Sequence, residues 1–198
     1  MAFQGRADIE SALGAVGELL AARGEQVAIV VLGGAALNLL GIVDRSTTDV
    51  DIIALATIPT HRASPAVLAH PDPLPEGLRS AITTVARDFR LDPDWMNTAP
   101  ALQWKFGLPP GLELRIQWRE YAALRVGFVH RTDLVAFKLF AAADRHPGNV
   151  HFQDLIALHP TQDELSAAVA WVKTQDASPH FPDIVDQVVA ELRRHVGS

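Results

Sequence analysis

The chain alternates between apolar runs typical of strands and longer segments in which apolar residues recur at helical spacing. Runs rich in Val, Ile and Leu at 27–32 and 48–55 predict two strands. Apolar residues three or four positions apart predict helices elsewhere, because such residues share one helical face. The predicted helices lie at 7–23, 34–41, 76–90, 132–144, 150–158, 161–174 and 181–195.

The middle of the chain carries an alternating pattern. Leu112, Leu114, Ile116 and Trp118 alternate with polar residues and predict a third strand, residues 126–129 predict a short fourth, and the Pro-rich stretch 59–75 is expected to be a loop. From residue 132 onward the pattern is helical. We expect an α+β (α/β-like) fold, a small mixed sheet flanked by helices with a C-terminal helical bundle, organised as 1–130 and 131–198 or as one compact unit.

Composition narrows the class of protein. The 198 residues are 48% hydrophobic, which is enough for a substantial core and argues against disorder. Cysteine is absent, so a disulfide framework and a thiolate metal site are excluded. We expect a cytoplasmic protein without a membrane span, because no secretory signal pattern is present and the apolar stretch 27–43 is short and interrupted by glycines and Asn38.

Two carboxylates flank a valine at the start of the second predicted strand. Side chains two positions apart on a strand point to one face, so Asp49 and Asp51 should stand together while Val50 and Ile52 are buried. Adjacent anions recruit a cation, and Mg²⁺ (or Mn²⁺) favours one or two carboxylates with phosphate oxygens. The alternative is a half-buried strand whose outer face is merely charged.

A glycine pair, Gly33 and Gly34, separates the first predicted strand from the helix at 34–41. Glycine allows a backbone to approach a ligand closely, and helix N-termini favour phosphate. A turn that simply requires glycine is the structural alternative. The order strand, Gly-Gly, helix, then strand with Asp-x-Asp is more specific than either motif alone.

These residues resemble the signature of the DNA polymerase β-type nucleotidyltransferase superfamily, a Gly-Gly or Gly-Ser turn followed by Asp-x-Asp. The stretch Arg45-Ser-Thr-Thr-Asp-Val-Asp is similar to that of the abortive-infection nucleotidyltransferase toxins of the AbiEii and MenT type. The acidic segment with Trp95 and Asn97 and the helix around Lys138, followed by Asp154, extend the resemblance to about residues 28–158. The spacer between Gly34 and Asp49 is longer than in compact members, which leaves room for a longer turn.

The resemblance implies a role for each matching residue. Asp49 and Asp51 would hold the metal, and Asp154 would complete the catalytic set. The implied nucleotide-binding residues are Gly33, Gly34, Arg45, Thr47 and Lys138. Thr47 has the alternative of capping a turn, while Trp95 and Asn97 would lie beside the site or, for the tryptophan, in the core.

Lys138 and Asp154 also have structural alternatives. Lys138 lies among apolar residues, where its stem would cover apolar surface while the ammonium group reaches water. Asp154 lies near the start of a predicted helix, where the helix dipole favours a carboxylate.

The implied reaction is Mg²⁺-dependent transfer of a nucleoside monophosphate from a nucleoside triphosphate to the 3′ end of tRNA, with release of pyrophosphate. Such transfer would block aminoacylation, so the resemblance implies a growth-inhibiting toxin held by a cognate antitoxin. A small-molecule acceptor such as an aminoglycoside, or a protein hydroxyl, is the enzymatic alternative. The alternative from another functional class is a module that binds nucleotide but has no catalytic activity.

Charge is distributed unevenly, although the net charge of −6 argues against general adhesion to nucleic acid. Residues 101–150 carry seven basic and four acidic side chains, and the last 48 residues carry three basic and seven acidic ones. The arginines that would line a positive groove for RNA are Arg115, Arg119, Arg125, Arg131 and Arg145. Alternatively, they pair with acids on a solvated surface.

Overall fold

A computed structural model describes residues 2–59, 65–144 and 149–196. The chain divides into two compact units. The first comprises Met1–Trp104 and Gly111–Val129, and the second comprises Lys105–Pro110 and His130–Ser198. Each unit has its own core.

The first unit contains the sheet and the helices that cover it. Its helices are α1 (Arg6–Ala22), α2 (Gly33–Leu39), α3 (Glu76–Phe89) and α4 (Leu112–Arg115), and a 3₁₀ helix spans Ala99–Lys105. Its strands are β1 (Val27–Leu32), β2 (Val50–Thr57), β3 (Val67–Ala69), β4 (Met96–Asn97), β5 (Gln117–Tyr121) and β6 (Leu124–Phe128).

The described strands form one mixed sheet in the order β3-β2-β1-β6-β5, and β4 also pairs with β2. β1 is antiparallel to β2 and parallel to β6. The end of β1 therefore lies beside the start of β2, with Leu32 opposite Asp51. On the other side of β2, Asp51 is paired with Asn97. This end of the sheet collects the residues that the sequence singles out.

The core of the first unit lies between the sheet and its helices. α1 buries Ile9, Leu13, Val16 and Leu20 and contacts α2, α3, β5 and β6. Trp95 is fully buried, which confirms the core prediction for this residue. Buried aliphatic and aromatic side chains of this kind supply most of the free energy that stabilises a fold.

The second unit is a bundle of four described helices, α5 (Arg131–Ala143), α6 (Val150–Leu158), α7 (Gln162–Val172) and α8 (Phe181–Val196). α5 contacts the other three. The Trp171 ring meets Phe137 and Phe140 edge to face, with centroids 5.4 and 6.4 Å apart, and Phe140 meets Phe181 at 6.1 Å. Such edge contacts stabilise aromatic pairs beyond the area they bury.

The predicted mixed sheet with flanking helices is confirmed, and the long helices fall within a few residues of their predicted spans. The strand predicted through Leu112 and Leu114 is wrong in its first half, because residues 112–115 form the helical turn α4 and β5 starts only at Gln117. The Pro-rich stretch contains the edge strand β3, although residues 60–64 lie outside the description. In the described part of the chain, no helix is both long and apolar enough to cross a membrane.

Arg131 connects three helices of the second unit. Its guanidinium group donates hydrogen bonds to the Leu158 and His159 carbonyls at the end of α6 and to the Glu164 carboxylate at the start of α7. The last carbonyls of a helix favour a cation, and the first turn favours an anion. Thr161 and Glu164 form a capping box at the start of α7. This arginine therefore holds helix ends together.

Glu164 makes the stability of the second unit depend on pH. Burial alone would raise the pKa of Glu164, but hydrogen bonds from the Thr161 backbone and the Arg131 guanidinium group together lower the pKa below its usual 4.5. A lowered carboxyl pKa adds stability that is present above the unfolded pKa and is lost as the pH falls through the folded pKa.

We predict that Glu164→Gln lowers the free energy of unfolding at pH 7 by about 1–2 kcal/mol, because charged hydrogen bonds are lost. The difference from the wild type should shrink as the pH is lowered below 4.5. Urea unfolding across pH 3–7 measures both effects, with the exposed neighbour Asp163→Asn as the control. A difference that stays constant over this range would contradict the assignment.

Candidate functional site

The site begins where β1 passes directly into α2 at Gly33. This residue has φ +81°, a left-handed conformation that favours glycine. A Cβ atom placed on Gly33 would lie 2.2 Å from Oδ2 of Asp51. The Asp51 carboxylate therefore rests against the bare Cα of Gly33, and any side chain at position 33 would displace it.

The second glycine makes room for a hydroxyl and a guanidinium group. A Cβ atom on Gly34 would lie 2.9 Å from Oγ1 of Thr47 and 3.2 Å from Nη2 of Arg45. The Thr47 hydroxyl is also within 3.5 Å of Oδ1 of Asp49. The two glycines are thus surrounded by a carboxylate on one side and by two hydrogen-bond donors on the other.

Strand β2 contains a β-bulge two residues after Asp51. The register between β1 and β2 shifts between Val30 and Val31, so Ile53 is the extra residue in β2. Its carbonyl accepts a hydrogen bond of 2.6 Å from the Trp104 indole. Bulges of this kind reorient nearby side chains and are common beside functional sites.

The predicted burial pattern around the carboxylate pair is confirmed. Val50 and Ile52 are fully buried, whereas Asp49 and Asp51 are half-buried. Among the residues that the structure describes, no group of three or more His, Cys, Asp or Glu side chains could hold a metal ion. Two carboxylates are nevertheless a suitable donor set for Mg²⁺ bound together with phosphate, because the phosphate oxygens and water supply the remaining ligands.

Asn38 links the glycine turn to the loop that follows α2, and sequence reasoning missed this role. α2 ends at Leu39, and the φ of +73° at Gly41 allows the Gly41 and Ile42 amides to donate back to the Asn38 and Leu37 carbonyls. The chain then returns, and the Arg45 amide donates to Oδ1 of Asn38 at 3.3 Å. The signal in the sequence for this role was Asn38 itself, a polar residue inside the apolar run 35–43.

Phe3 and Trp95 hold the backbone near Asp49 and Asp51. Thr47 exchanges two backbone hydrogen bonds of 2.8 and 3.2 Å with Phe3, and the Phe3 ring contacts Trp95 edge to face at 5.7 Å. The Val50 amide donates to the Trp95 carbonyl at 2.6 Å. Asn97 lies beside Asp51 in the sheet, and its side-chain oxygen accepts from the Ala99 amide.

Lys138 and Asp154 form a buried ion pair in the second unit. Nζ of Lys138 lies 2.8 Å from Oδ2 of Asp154, and their side chains are 6% and 2% exposed. The structural alternative, in which the lysine head reaches water, is therefore wrong. The structure brings Gly33, Gly34, Arg45, Thr47, Asp49 and Asp51 together in the first unit, and Lys138 with Asp154 in the second.

Three of the arginines considered for an RNA groove are paired with acids. Arg119 lies 3.6 Å from Glu10, Arg125 lies 2.8 Å from Glu120, and Arg131 binds Glu164. These ion pairs agree with the solvated-surface alternative. Arg115 is half-buried, and Arg145 lies outside the described residues.

We predict that Gly33→Ala destabilises the protein more than Gly24→Ala. Both glycines have positive φ, so each substitution should cost about 1–2 kcal/mol of backbone strain. Only at Gly33 would the new Cβ atom meet another group, the Asp51 carboxylate, whereas nothing lies within 4 Å at Gly24. Displacing that carboxylate should cost about 1–3 kcal/mol more. Urea unfolding measures the difference, and equal losses would contradict the contact.

Comparison with known proteins assigns this chain to no family. A scan against protein-family models found no match, and neither the curated proteins nor the solved structures contain a match to the chain.

Proposed function

We propose that this protein is a divalent-metal-dependent nucleotidyltransferase, which transfers a nucleoside monophosphate from a nucleoside triphosphate to an acceptor hydroxyl. The observation that carries the proposal is the packing around the glycine turn. The Asp51 carboxylate lies against Gly33, and the Thr47 hydroxyl and Arg45 guanidinium group lie against Gly34. In this proposal, a carboxylate that would bind the metal and two groups that would donate hydrogen bonds to phosphate lie beside the glycine backbone. Because glycine has no side chain, the triphosphate can approach this backbone closely.

Asp49 and Asp51 are the residues that would hold the metal ion. When bound, Mg²⁺ or Mn²⁺ would neutralise charge on the triphosphate during attack on the α-phosphorus. Because the protein contributes two carboxylates here, the nucleotide itself would complete the coordination. Metal and nucleotide should therefore bind much more tightly together than separately.

The two side chains beside Gly34, those of Arg45 and Thr47, suit the triphosphate. Arg45 offers a planar set of donors that matches phosphate oxygens, and Thr47 offers one hydroxyl. Within the second unit, the Lys138 ammonium group is held 2.8 Å from the Asp154 carboxylate. The family resemblance implies that Lys138 contributes to phosphate binding and that Asp154 completes the catalytic set.

In the proposed reaction, the acceptor oxygen forms a bond to the α-phosphorus while the bond from that phosphorus to the bridging oxygen breaks. Pyrophosphate and a proton are released. The residues of the chain act by holding the triphosphate in line and by stabilising its charge, which together supply most of the acceleration in phosphoryl transfer.

The 3′ end of tRNA is the acceptor that we propose, with growth inhibition and a cognate antitoxin as the biological setting. The resemblance of the Arg45 to Asp51 stretch to nucleotidyltransferase toxins supports this choice. A small-molecule or protein hydroxyl is the second candidate. The ion pairs of Arg119, Arg125 and Arg131 favour it, because they reduce the free positive charge that an RNA backbone would meet.

We predict that the wild type, incubated with Mg²⁺, total tRNA and each α-labelled nucleoside triphosphate in turn, transfers label to RNA from at least one donor. Asp51→Asn should reduce this rate at least about 100-fold, because a group that stabilises the transition state is lost. Asp44→Asn is the matched control. Its carboxylate lies in the loop that precedes β2, is exposed, and lies 3.8 Å from the position of a Cβ on Gly5.

Each outcome of this assay has a distinct meaning. Label on RNA that depends on Asp51 but not on Asp44 would support tRNA transfer. Label on an added aminoglycoside or on protein, with none on RNA, would support the second candidate. Transfer that is unchanged in Asp51→Asn would contradict the proposed site.

A further inference from the structure

Asn38 is a buried amide that makes two different hydrogen bonds. It is 2% exposed, its Nδ2 donates to the Gly34 carbonyl at 3.1 Å, and its Oδ1 accepts from the Arg45 amide at 3.3 Å. One bond stays within α2, and the other reaches the loop that carries Arg45 and Thr47. The same side chain therefore contacts both halves of the candidate site.

The bond within the helix does not account for an amide at this position. In an α-helix, the Gly34 carbonyl already accepts from the backbone amide of residue 38. Asparagine is a poor residue for a helix interior, and burying its amide costs free energy unless hydrogen bonds compensate. What the amide adds is the link to Arg45, in a segment without regular secondary structure.

That link acts on residues that the proposed reaction uses. Arg45 lies directly against Gly34, and Thr47 contacts both Gly34 and Asp49. The bridge between Thr47 and Phe3 holds the far end of the segment, while Asn38 holds the near end. Donors that are fixed before the substrate arrives lose little entropy when it binds.

We infer that Asn38 is a positioning residue, whose buried amide holds the Arg45–Thr47 segment against the glycine turn for triphosphate binding. The inference rests on the nucleotidyltransferase function proposed above. Asn38 touches neither nucleotide nor metal in this account. It acts through Arg45 and Thr47.

Two substitutions separate the two hydrogen bonds. Asn38→Thr keeps a hydroxyl that donates to the carbonyl four residues earlier but is too short to reach residue 45. Asn38→Asp keeps the oxygen that accepts from the Arg45 amide but loses the donor to Gly34. Gln175→Thr is the matched control, because Gln175 is also buried and also donates to a carbonyl four residues earlier, that of Trp171.

Two readouts are measured on each variant, at a temperature where circular dichroism shows it folded. Hydrogen exchange of residues 43–47 reports the link itself and needs no activity. Steady-state transfer from the labelled donor reports kcat and KM. We expect Asn38→Thr to speed exchange and to lower kcat/KM at least about 10-fold, as loss of an orienting partner does in comparable sites.

Asn38→Asp should retain slow exchange of the same residues, and Gln175→Thr should match the wild type in both readouts. Wild-type exchange and wild-type kcat/KM in folded Asn38→Thr would overturn the inference. If the wild type transfers no label at all, the proposed function fails, and exchange alone then decides whether the link exists. If Asn38→Thr does not fold, fast exchange in Asn38→Asp would overturn the inference.

Discussion

The antiparallel pairing of β1 with β2 is the constraint on which the candidate site depends. Because β1 ends where β2 begins, the glycine turn after Leu32 meets the carboxylates that precede and start β2. A slip of one residue would move Asp51 to the opposite face of the sheet. The bulge at Ile53 and the hydrogen bond from Trp104 fix this register, and the absence of a side chain at Gly33 allows the contact.

The loop between α2 and β2 is held by the helix before it and by two residues that are distant in sequence, Phe3 and Trp95. Asn38 binds the Arg45 amide, Phe3 pairs with Thr47, and the Trp95 carbonyl accepts from Val50. These contacts fix the site without a ligand, as a site that stabilises charge by preorganisation requires. In the second unit, α5 plays the comparable role, because it contacts every other described helix of the bundle and carries Lys138.

Sequence patterns predicted the features that local chemistry determines. The spans of β1 and α3 follow from periodicity, and the burial of Val50 and Ile52 follows from strand alternation. The strand predicted from the alternating residues 112–118 was wrong in its first half, because a pattern this short fits a helical turn as well as a strand. The partners of Asn38 and Lys138 were not predictable, since a buried polar side chain finds its partner only after the chain has folded. β4 is two residues long, too short to carry a pattern.

The most direct test of the central claim is calorimetric titration with ATP, GTP, CTP and UTP, each with Mg²⁺ and then with a chelator, on the wild type and Asp51→Asn. If the proposal is correct, two carboxylates and a nucleotide share the metal, so we predict binding of at least one nucleotide that weakens about tenfold or more without Mg²⁺ and in the variant. Equal affinity in all conditions, or no binding of any nucleotide, would contradict a metal and nucleotide site at the glycine turn.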